Sequence, residues 1–399
     1  MPATAAQRSG PPRWLRLQWG FDAWLVTRHA DVRVVLSDSR FTRDVHRASE
    51  IRAAAGLPRL PVGGTGRGVT LLHIDPPEHT RLRRLMHPLF TARRIERLRP
   101  MVSKLARDLV AQFAHTGQAD LVAELALPLT VGVLCELAGL PPGDLERFGP
   151  WVRDVHQTEG GADAGRRMVE AIQAMDAYLA GVIGARRLRA GRSRGTPADV
   201  LTELACPSAA TGRLGDDELI ALGRDLLVGG YESTKNLIAG GMLALLTHPG
   251  PMAELLADPT LVPLAVEELL RYAPPFPRME QRYATADIEV GGALISRGEP
   301  VIADLFAANR DPARFPDPDR LTIADSARGQ LSFGPGTHHC LGAAVARLEA
   351  EVAVQTLLTG LPQLRLGCRP EDVERLPGFS PGPRSLPVTF IPIPVQHRA

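Results

Sequence analysis

The chain has 399 residues, of which 44% are hydrophobic and 23% are charged, an ordinary composition for a globular protein with a substantial core. The formal net charge is only +2, so the charge balance supports neither nucleic-acid binding nor attraction to a membrane surface. The four cysteines lie far apart and form no C-x-x-C pair. This spacing argues against a disulfide framework and favours a reducing compartment.

No stretch of the sequence is typical of a targeting peptide or a membrane anchor. Residues 1–12 are polar and lack the apolar region of a signal peptide. The most apolar window, residues 121–140, contains Glu124, Pro128 and Glu136, which indicates a buried helix instead of a membrane span. We therefore expect a cytoplasmic protein that forms one domain over residues 1–399, with residues 1–18 as a loose N-terminal arm.

The first quarter of the chain predicts a short strand at residues 23–27, a helix at 30–37 and a long, partly mobile loop at 46–71. A helix then follows the run D-P-P-E. His79 and Arg83 lie four residues apart on one face of this helix, where they could clamp an anion. The alternative is a solvated basic face, because several other arginines are close in sequence.

Helical periodicity continues through residues 100–116, 119–140, 142–155 and 165–188. The longest predicted helix runs from Asp216 to about Thr247, with acidic residues in its first turn. Its middle reads L-L-V-G-G-Y-E-S-T, which places Gly229 and Gly230 inside an apolar helix. Each glycine costs about 1 kcal/mol relative to alanine, so we expect close approach of either a ligand or a neighbouring helix.

Two further patterns lie in the last third of the chain. Glu268 and Arg271 are three residues apart on one helix face, as either a buried or an exposed ion pair. Short strands are predicted between residues 282 and 304 and again near the C-terminus. The remaining apolar segments read as helices.

The stretch from Phe333 to Gly342 reads F-G-P-G-T-H-H-C-L-G and is followed by a helical segment. Cys340 would therefore lie at a helix N-terminus, where its thiolate is favoured. A thiolate can be a redox nucleophile or a haem ligand, and a third possibility is a buried structural cysteine. Gly334 and Gly336 would let the backbone pass close to a large flat ligand, and Phe333 could cover the sulfur. The loop favours the haem.

The pattern F-G-x-G-x-H-x-C-x-G resembles the haem-binding loop of the cytochrome P-450 superfamily, particularly its soluble bacterial members. The runs D-P-P-E-H-T-R-L-R, G-G-Y-E-S-T and E-x-x-R are similar to three further motifs of that family, in the family's order. The resemblance extends from residue 23 to residue 390. It implies a mainly α fold with a small β portion, with the haem between the long central helix and the helix after the cysteine loop.

The resemblance also implies roles for individual residues. Cys340 would be the axial ligand of the iron, with Phe333 and Gly342 beside its sulfur. The residues that would bind the haem propionates are His79, Arg83, Arg282 and His338. Those implied at the oxygen-binding face are Gly229 and Gly230, which would make room for dioxygen, and Glu232 and Ser233, which would relay protons. Ser233 replaces the usual threonine, so we expect looser coupling of oxygen consumption to product.

Glu268, Arg271 and Arg320 would form a structural ion network. The resemblance places the substrate pocket among loops at residues 56–71, 159–167 and 378–381, and the pocket residues it indicates are Val228, Pro275, Phe276 and Phe379. These loops are not unusually charged, so we expect a neutral or weakly polar ligand.

The implied activity is that of a haem-thiolate monooxygenase containing haem b, which hydroxylates or epoxidises a small, largely apolar molecule in bacterial natural-product biosynthesis. Electrons would come from a ferredoxin or flavodoxin with its NAD(P)H-dependent reductase, docking near Arg84, Arg310 or Arg347. Two alternatives remain: a non-insertion oxidation on the same fold, such as coupling, dehydrogenation or peroxide-driven chemistry, and a haem-binding protein without turnover.

Overall fold

The computed structural model describes residues 10–16, 21–60, 66–156, 161–190, 199–206, 214–279, 281–323, 327–376, 378 and 380–394. The predicted pocket residue Phe379 and most of the predicted N-terminal arm lie outside these ranges. Among the described residues, no helix combines the length and the apolar character that crossing a lipid bilayer requires.

Helices make up most of the described chain. In order they are α1 (His29–Ser37), α2 (Val45–Ala54), α3 (Glu78–Met86), α4 (Ala92–Glu96), α5 (Arg99–Phe113), α6 (Leu127–Ala138), α7 (Leu145–His156), α8 (Gly161–Ala190), α9 (Val200–Ala205), α10 (Asp216–Leu246), α11 (Pro249–Ala257), α12 (Val262–Tyr272), α13 (Leu305–Ala308) and α14 (Ala343–Gly360). A π-helical turn, Val122–Ala126, leads into α6.

The strands of the described part of the chain are short and form three small sheets. They are β1 (Arg13–Arg16), β2 (Asp22–Val26), β3 (Phe41–Thr42), β4 (Gln118–Asp120), β5 (Arg282–Ala284), β6 (Ile288–Val290), β7 (Ala293–Ile295), β8 (Pro300–Ala303), β9 (Arg365–Leu366) and β10 (Pro387–Thr389). The largest sheet has the order β1-β2-β8-β5-β3, the second β4-β10-β9, and β6 pairs with β7. Among the described strands only β2 and β8 pair in parallel, with Trp24 opposite Val301.

Helix α10 is the central element of the helical region. It begins after Gly215, whose main-chain N–H donates to Glu218 Oε2 at 2.8 Å, so the first turn is capped by its own acidic residue. It packs against α6, α8, α12 and α14, and almost every residue from Tyr231 to Leu245 is buried. The main hydrophobic core surrounds it, and a second core lies between α1 and the largest sheet. The predicted bounds of this helix are confirmed to within one residue.

Two predictions for the N-terminal region are wrong. Residues Arg13–Arg16 of the predicted loose arm form β1, which pairs antiparallel with β2 and places the Trp14 and Trp24 rings 5.8 Å apart. The predicted loop at 46–71 begins with α2, which Asp44 caps by accepting from Arg47 N at 3.0 Å. Helix α2 has only two large apolar residues, Val45 and Ile51, so it lacks the periodic stripe that predicts a helix.

Candidate active site

The cysteine loop is closed by its own main chain. Cys340 N donates to Phe333 O at 2.8 Å, and His339 N donates to Gly336 O at 3.1 Å. Gly334 and Gly336 have positive φ angles of 65° and 83°. A Cβ on Gly336 would lie 2.8 Å from Leu36 O, whereas one on Gly334 would meet nothing within 4 Å. Gly336 therefore serves the approach of the loop to α1, not to a flat ligand as predicted.

Cys340 is an exposed residue, but its thiol has enough protein atoms around it for burial to be the largest influence on its pKa. Burial raises the pKa of the thiol, and the Gly342 main-chain N–H, Arg83 and Arg347 partly oppose that rise. Burial thus favours the neutral thiol in the free protein. An anionic sulfur at this position needs a cation bonded to it, as an iron centre would provide.

The four predicted propionate-binding residues come from three different parts of the chain and lie close together in the structure. The His79 and His338 ring centroids are 4.5 Å apart, and His79 is fully buried with no hydrogen-bond partner for either ring nitrogen. Burial lowers the pKa of His338 to about 2, and the charges of Arg43, Arg282 and Arg83 contribute. Burial also lowers the pKa of Arg282 to about 9, with a further contribution from Arg43.

This basic cluster, defined as His79, Arg83, Arg282 and His338, places four basic side chains, two of them buried, close together. Like charges and burial both work against protonation, so the cluster is costly unless an anion lies beside it. Arg83 also ties α3 to the cysteine loop, because its Nη2 donates to His339 O at 2.6 Å. The cluster therefore fits an anionic ligand beside the cysteine loop, as the resemblance implies for the two haem propionates.

The two glycines of α10 have different surroundings. A Cβ on Gly229 would meet nothing within 4 Å, but one on Gly230 would lie 2.5 Å from Leu134 Cδ2 of α6. Gly229 borders open space, whereas Gly230 is explained by helix packing, so the prediction that both make room for dioxygen is wrong for Gly230. Ser233 Oγ donates to Gly229 O at 2.6 Å, and the helix continues without a loosened turn.

Glu232 and Ser233 are adjacent in sequence but have different partners. The Glu232 carboxylate accepts from Lys235 Nζ at 2.6 Å, and both side chains are buried, with 8% and 7% of their surfaces exposed. None of the sequence motifs indicated Lys235. The signal was available: a lysine three residues after a glutamate in an otherwise apolar helix can be buried only with a partner.

The Glu268–Arg271 pair is buried and bidentate, with both N–O distances at 2.7 Å. The remaining Arg271 donors bond the carbonyl oxygens of Asn309, Pro318 and Arg320 at 3.0, 2.8 and 3.0 Å. The predicted role of the Arg320 side chain is wrong, because this residue is exposed and contributes only its carbonyl. A guanidinium with five donors can bind several carbonyls at once, so no second arginine is needed.

Three of the four predicted pocket residues are described. Val228 is half-buried on α10, and the Phe276 ring lies 6.2 Å from that of His156 at the end of α7. Pro275 O accepts from Ser380 Oγ at 3.0 Å, and Asn236 Nδ2 of α10 donates to the same hydroxyl at 2.8 Å. The Asn236–Ser380 contact, which no sequence motif indicated, holds the loop that contains Ser380 against the central helix.

The three arginines predicted as docking residues differ in exposure. Arg310 is buried, and its guanidinium stacks on the Phe306 and Tyr272 rings at 3.8 and 4.6 Å, so the prediction is wrong for this residue. Arg347 is one-third exposed, bonds Glu267 at 2.5 Å and lies over the Phe333 ring. Arg84 is exposed at the surface of α3.

Comparison with known proteins decides the family. The family profile described as Cytochrome P450 matches residues 162–361. The mycinamicin IV hydroxylase/epoxidase of Micromonospora griseorubida is 41% identical over 391 residues, covering 96% of this chain and 94% of that protein. The chain belongs to the cytochrome P450 family.

Other P450s are also similar to this chain over nearly its whole length. Nocardicin C N-oxygenase of Nocardia uniformis is 41% identical and covers 98% of this chain and 95% of its own. A myxobacterial P450 crystallised with myristic acid is 36% identical, with a TM-score of 0.86 over 96% of this chain and 93% of that one. The predicted mainly α fold with a small β portion is confirmed. This P450 is an oxidoreductase of the monooxygenase class, and its family implies a haem cofactor.

Proposed function

We propose that this P450 is a haem b monooxygenase that hydroxylates or epoxidises a small, largely apolar natural product. The observation that carries the proposal is the basic cluster beside the cysteine loop. Four basic side chains around one region, of which His79 and Arg282 are buried and Arg83 and His338 half-buried, with both His79 ring nitrogens unsatisfied, fit the two propionates of a haem whose iron Cys340 would hold. The bound haem would supply the activation of dioxygen.

The protein's own residues would bind, orient and deliver protons. Arg282, Arg83, His79 and His338 would neutralise the propionates, and the Gly342 N–H would donate to the sulfur and tune its basicity. Gly229 leaves space on the α10 face, where Ser233 presents the only hydroxyl of the E-S-T run that is not buried. Ser233 Oγ would donate a proton there, and Glu232 would replace it through water.

The substrate class is inferred from the relatives and from the pocket-facing elements. Relatives are named for hydroxylation of mycinamicin IV and of 6-deoxyerythronolide B. The described pocket residues Val228, Pro275 and Phe276 are apolar, which suits a molecule held mainly by apolar contacts.

A second candidate is a non-insertion oxidation on the same fold. One structural neighbour, with a TM-score of 0.85 and 35% identity, is described as a putative thioether synthase involved in tailoring griseoviridin. Because a protein with this description has the same fold, a coupling reaction is the second candidate for the present chain. Fold similarity alone does not separate the two reactions.

Electrons would come from a ferredoxin or flavodoxin with its NAD(P)H-dependent reductase. The exposed Arg84 lies on the same helix as His79 and Arg83, so an acidic partner bound there would lie close to the haem edge.

One reconstituted assay tests both the reaction and the partner. The holoenzyme is supplied with a plant-type ferredoxin, its reductase, NADPH and a panel of macrolactones under ¹⁸O₂. We expect a product heavier by one labelled oxygen, and a slower, less salt-sensitive reduction in Arg84→Glu. An oxidised product without the label would favour coupling or dehydrogenation, and the absence of any turnover across the panel would favour a haem-binding role.

A further inference from the structure

Residues Gly66–Leu71 form a segment, here called the strap, that lies across the junction of α8 and α10. Asp176 of α8 and Arg224 of α10 form an ion pair in which the two side chains are only 5% and 7% exposed. Both partners also bind the main chain of one strap residue: Arg67 N donates to Asp176 Oδ2 at 2.5 Å, and Arg224 Nη2 donates to Arg67 O at 3.4 Å. A buried ion pair thus satisfies the main chain of a surface loop.

The strap has glycines at two positions where its contact with α8 and α10 leaves no room for a side chain. A Cβ on Gly66 would lie 2.5 Å from Arg224 Nη1, 2.6 Å from Ile172 Cγ2 and 2.8 Å from Asp176 Oδ2. Gly68 has a φ of +68°, and a Cβ there would overlap the Asp217 carbonyl. Only glycine can take either position while the strap is seated, since a side chain on Gly66 would displace the charged pair.

The far end of the strap reaches the face of α10 that borders the open space. Leu71 N donates to Asp225 Oδ2 at 2.6 Å. Asp225, Gly229 and Ser233 follow one another at intervals of four residues, so they lie on one face of the helix. The strap is therefore hydrogen-bonded to α10 one helical turn from Gly229, on the side where the proposed substrate would lie.

We infer that Asp176 and Arg224 are positioning residues that hold the strap over this face of α10. Whether the strap is held or released then determines the size of the largest molecule that can enter the site. The inference rests on the proposed function for the use of the site. Freeing the strap breaks two main-chain hydrogen bonds to a buried ion pair, and this makes the closed position the stable one. A small ligand can pass the closed strap, whereas a bulky one must wait for it to open.

The test compares Gly66→Ala with Gly181→Ala, which makes the same substitution on α8 where a Cβ meets nothing within 4 Å. Stopped-flow mixing of each holoenzyme with imidazole and with 4-phenylimidazole gives two association rates. Gly66→Ala should raise the rate for 4-phenylimidazole about tenfold, equivalent to about 1.4 kcal/mol less stabilisation of the closed strap, and leave imidazole within about twofold. Gly181→Ala should change neither rate.

Hydrogen exchange followed by mass spectrometry provides a readout that needs no haem. The peptide covering the strap should exchange faster in Gly66→Ala and in Asp176→Asn, while peptides of α14 exchange as in the wild type. Equal acceleration for both imidazoles, or unchanged exchange in the strap, would overturn the inference. Failure of the wild-type protein to bind either imidazole would count against the proposed function instead, and the exchange result would still decide the clamp.

Discussion

The Glu232–Lys235 pair places two opposite charges inside α10, and Glu232 is itself one of the two residues proposed to deliver protons. Each side chain is less than a tenth exposed, and they meet at 2.6 Å. In such a site the loss of one partner costs more than the pair itself contributes, because the other charge stays buried without compensation. Lys235 therefore holds the Glu232 carboxylate in a defined position.

We predict that Lys235→Met destabilises the protein by about 3 kcal/mol at neutral pH, since it strands the Glu232 carboxylate. The double variant Glu232→Gln with Lys235→Met should regain most of that loss. Urea unfolding of the four proteins in the double-mutant cycle measures the coupling. Additive losses in the two single variants would mean that the buried pair does not act as a unit.

Glu349 on α14 is a second buried acid, and its carboxyl lies against Thr130 of α6. Burial raises the pKa of this carboxyl well above its ordinary value, and Thr130 offsets the rise only in part. A carboxyl with a raised folded pKa keeps its proton in the folded state while the unfolded chain loses it. Its contribution to stability is thus present below the unfolded pKa, about 4.5, and declines as the pH rises.

We predict that Glu349→Gln is increasingly more stable than the wild type as the pH rises above 4.5, by up to about 1.4 kcal/mol per pH unit until the folded pKa is reached. Chemical denaturation of both proteins between pH 4 and pH 8 measures the difference. A difference independent of pH would show that the carboxyl ionises alike in the folded and unfolded states.

At the scale of residues, the sequence was most informative where a motif combined several residue types. The resemblance assigned His79, Arg83, Arg282 and His338 to one site although they are up to 259 positions apart, and the structure brings them together. It did not predict Lys235, because no motif includes that position. It also did not predict that Arg320 is exposed, because a backbone carbonyl can take the place of a side chain and any residue type supplies that carbonyl.

The central helix α10 shows how one pair of glycines can serve two purposes. Gly229 borders the open space and Gly230 packs on Leu134, so one faces the proposed site and the other serves the contact between α10 and α6. Sequence alone left these two explanations open, because a glycine inside a helix signals close approach without identifying what approaches.

We predict opposite effects on stability for the two alanine variants. Gly230→Ala should cost about 1–3 kcal/mol through overpacking against Leu134, and Gly230→Ala with Leu134→Ala should recover part of it. Gly229→Ala should raise stability by up to about 1 kcal/mol, because alanine favours the helix and meets nothing. Thermal and urea unfolding of the haem-free proteins provide the measurement, and equal destabilisation by both variants would contradict the assignment.

Among elements, long periodic helices were predicted well and short ones poorly. The bounds of α10 followed from its acidic start and from the H-P-G sequence that ends it. Helix α2 and strand β1 were missed since neither carries a sustained apolar pattern: β1 has four residues and is formed through pairing with β2. Tertiary pairing of this kind is not encoded in local propensity.

For the whole molecule, the two largest hydrophobic cores of the described residues each include an element that carries part of the basic cluster, α3 in the main core and β5 in the smaller one. The main core surrounds α10, and the smaller one joins α1 to the largest sheet, which carries Arg282 on β5. We propose that both cores belong to one domain, because the site takes residues from elements of each. The overall fold could be inferred only from ordered motifs, since composition and charge fit many globular classes.

The central claim is that Cys340 supplies an anionic sulfur to a haem iron. Purified protein is reduced, exposed to carbon monoxide and compared with Cys340→Ala and with Cys206→Ala, a matched change at a cysteine far from the loop. We expect the strongly red-shifted Soret band of a thiolate-ligated carbonyl complex in the wild type and in Cys206→Ala, and its loss in Cys340→Ala. The same spectrum in all three proteins, or a wild-type spectrum without that band, would contradict the account.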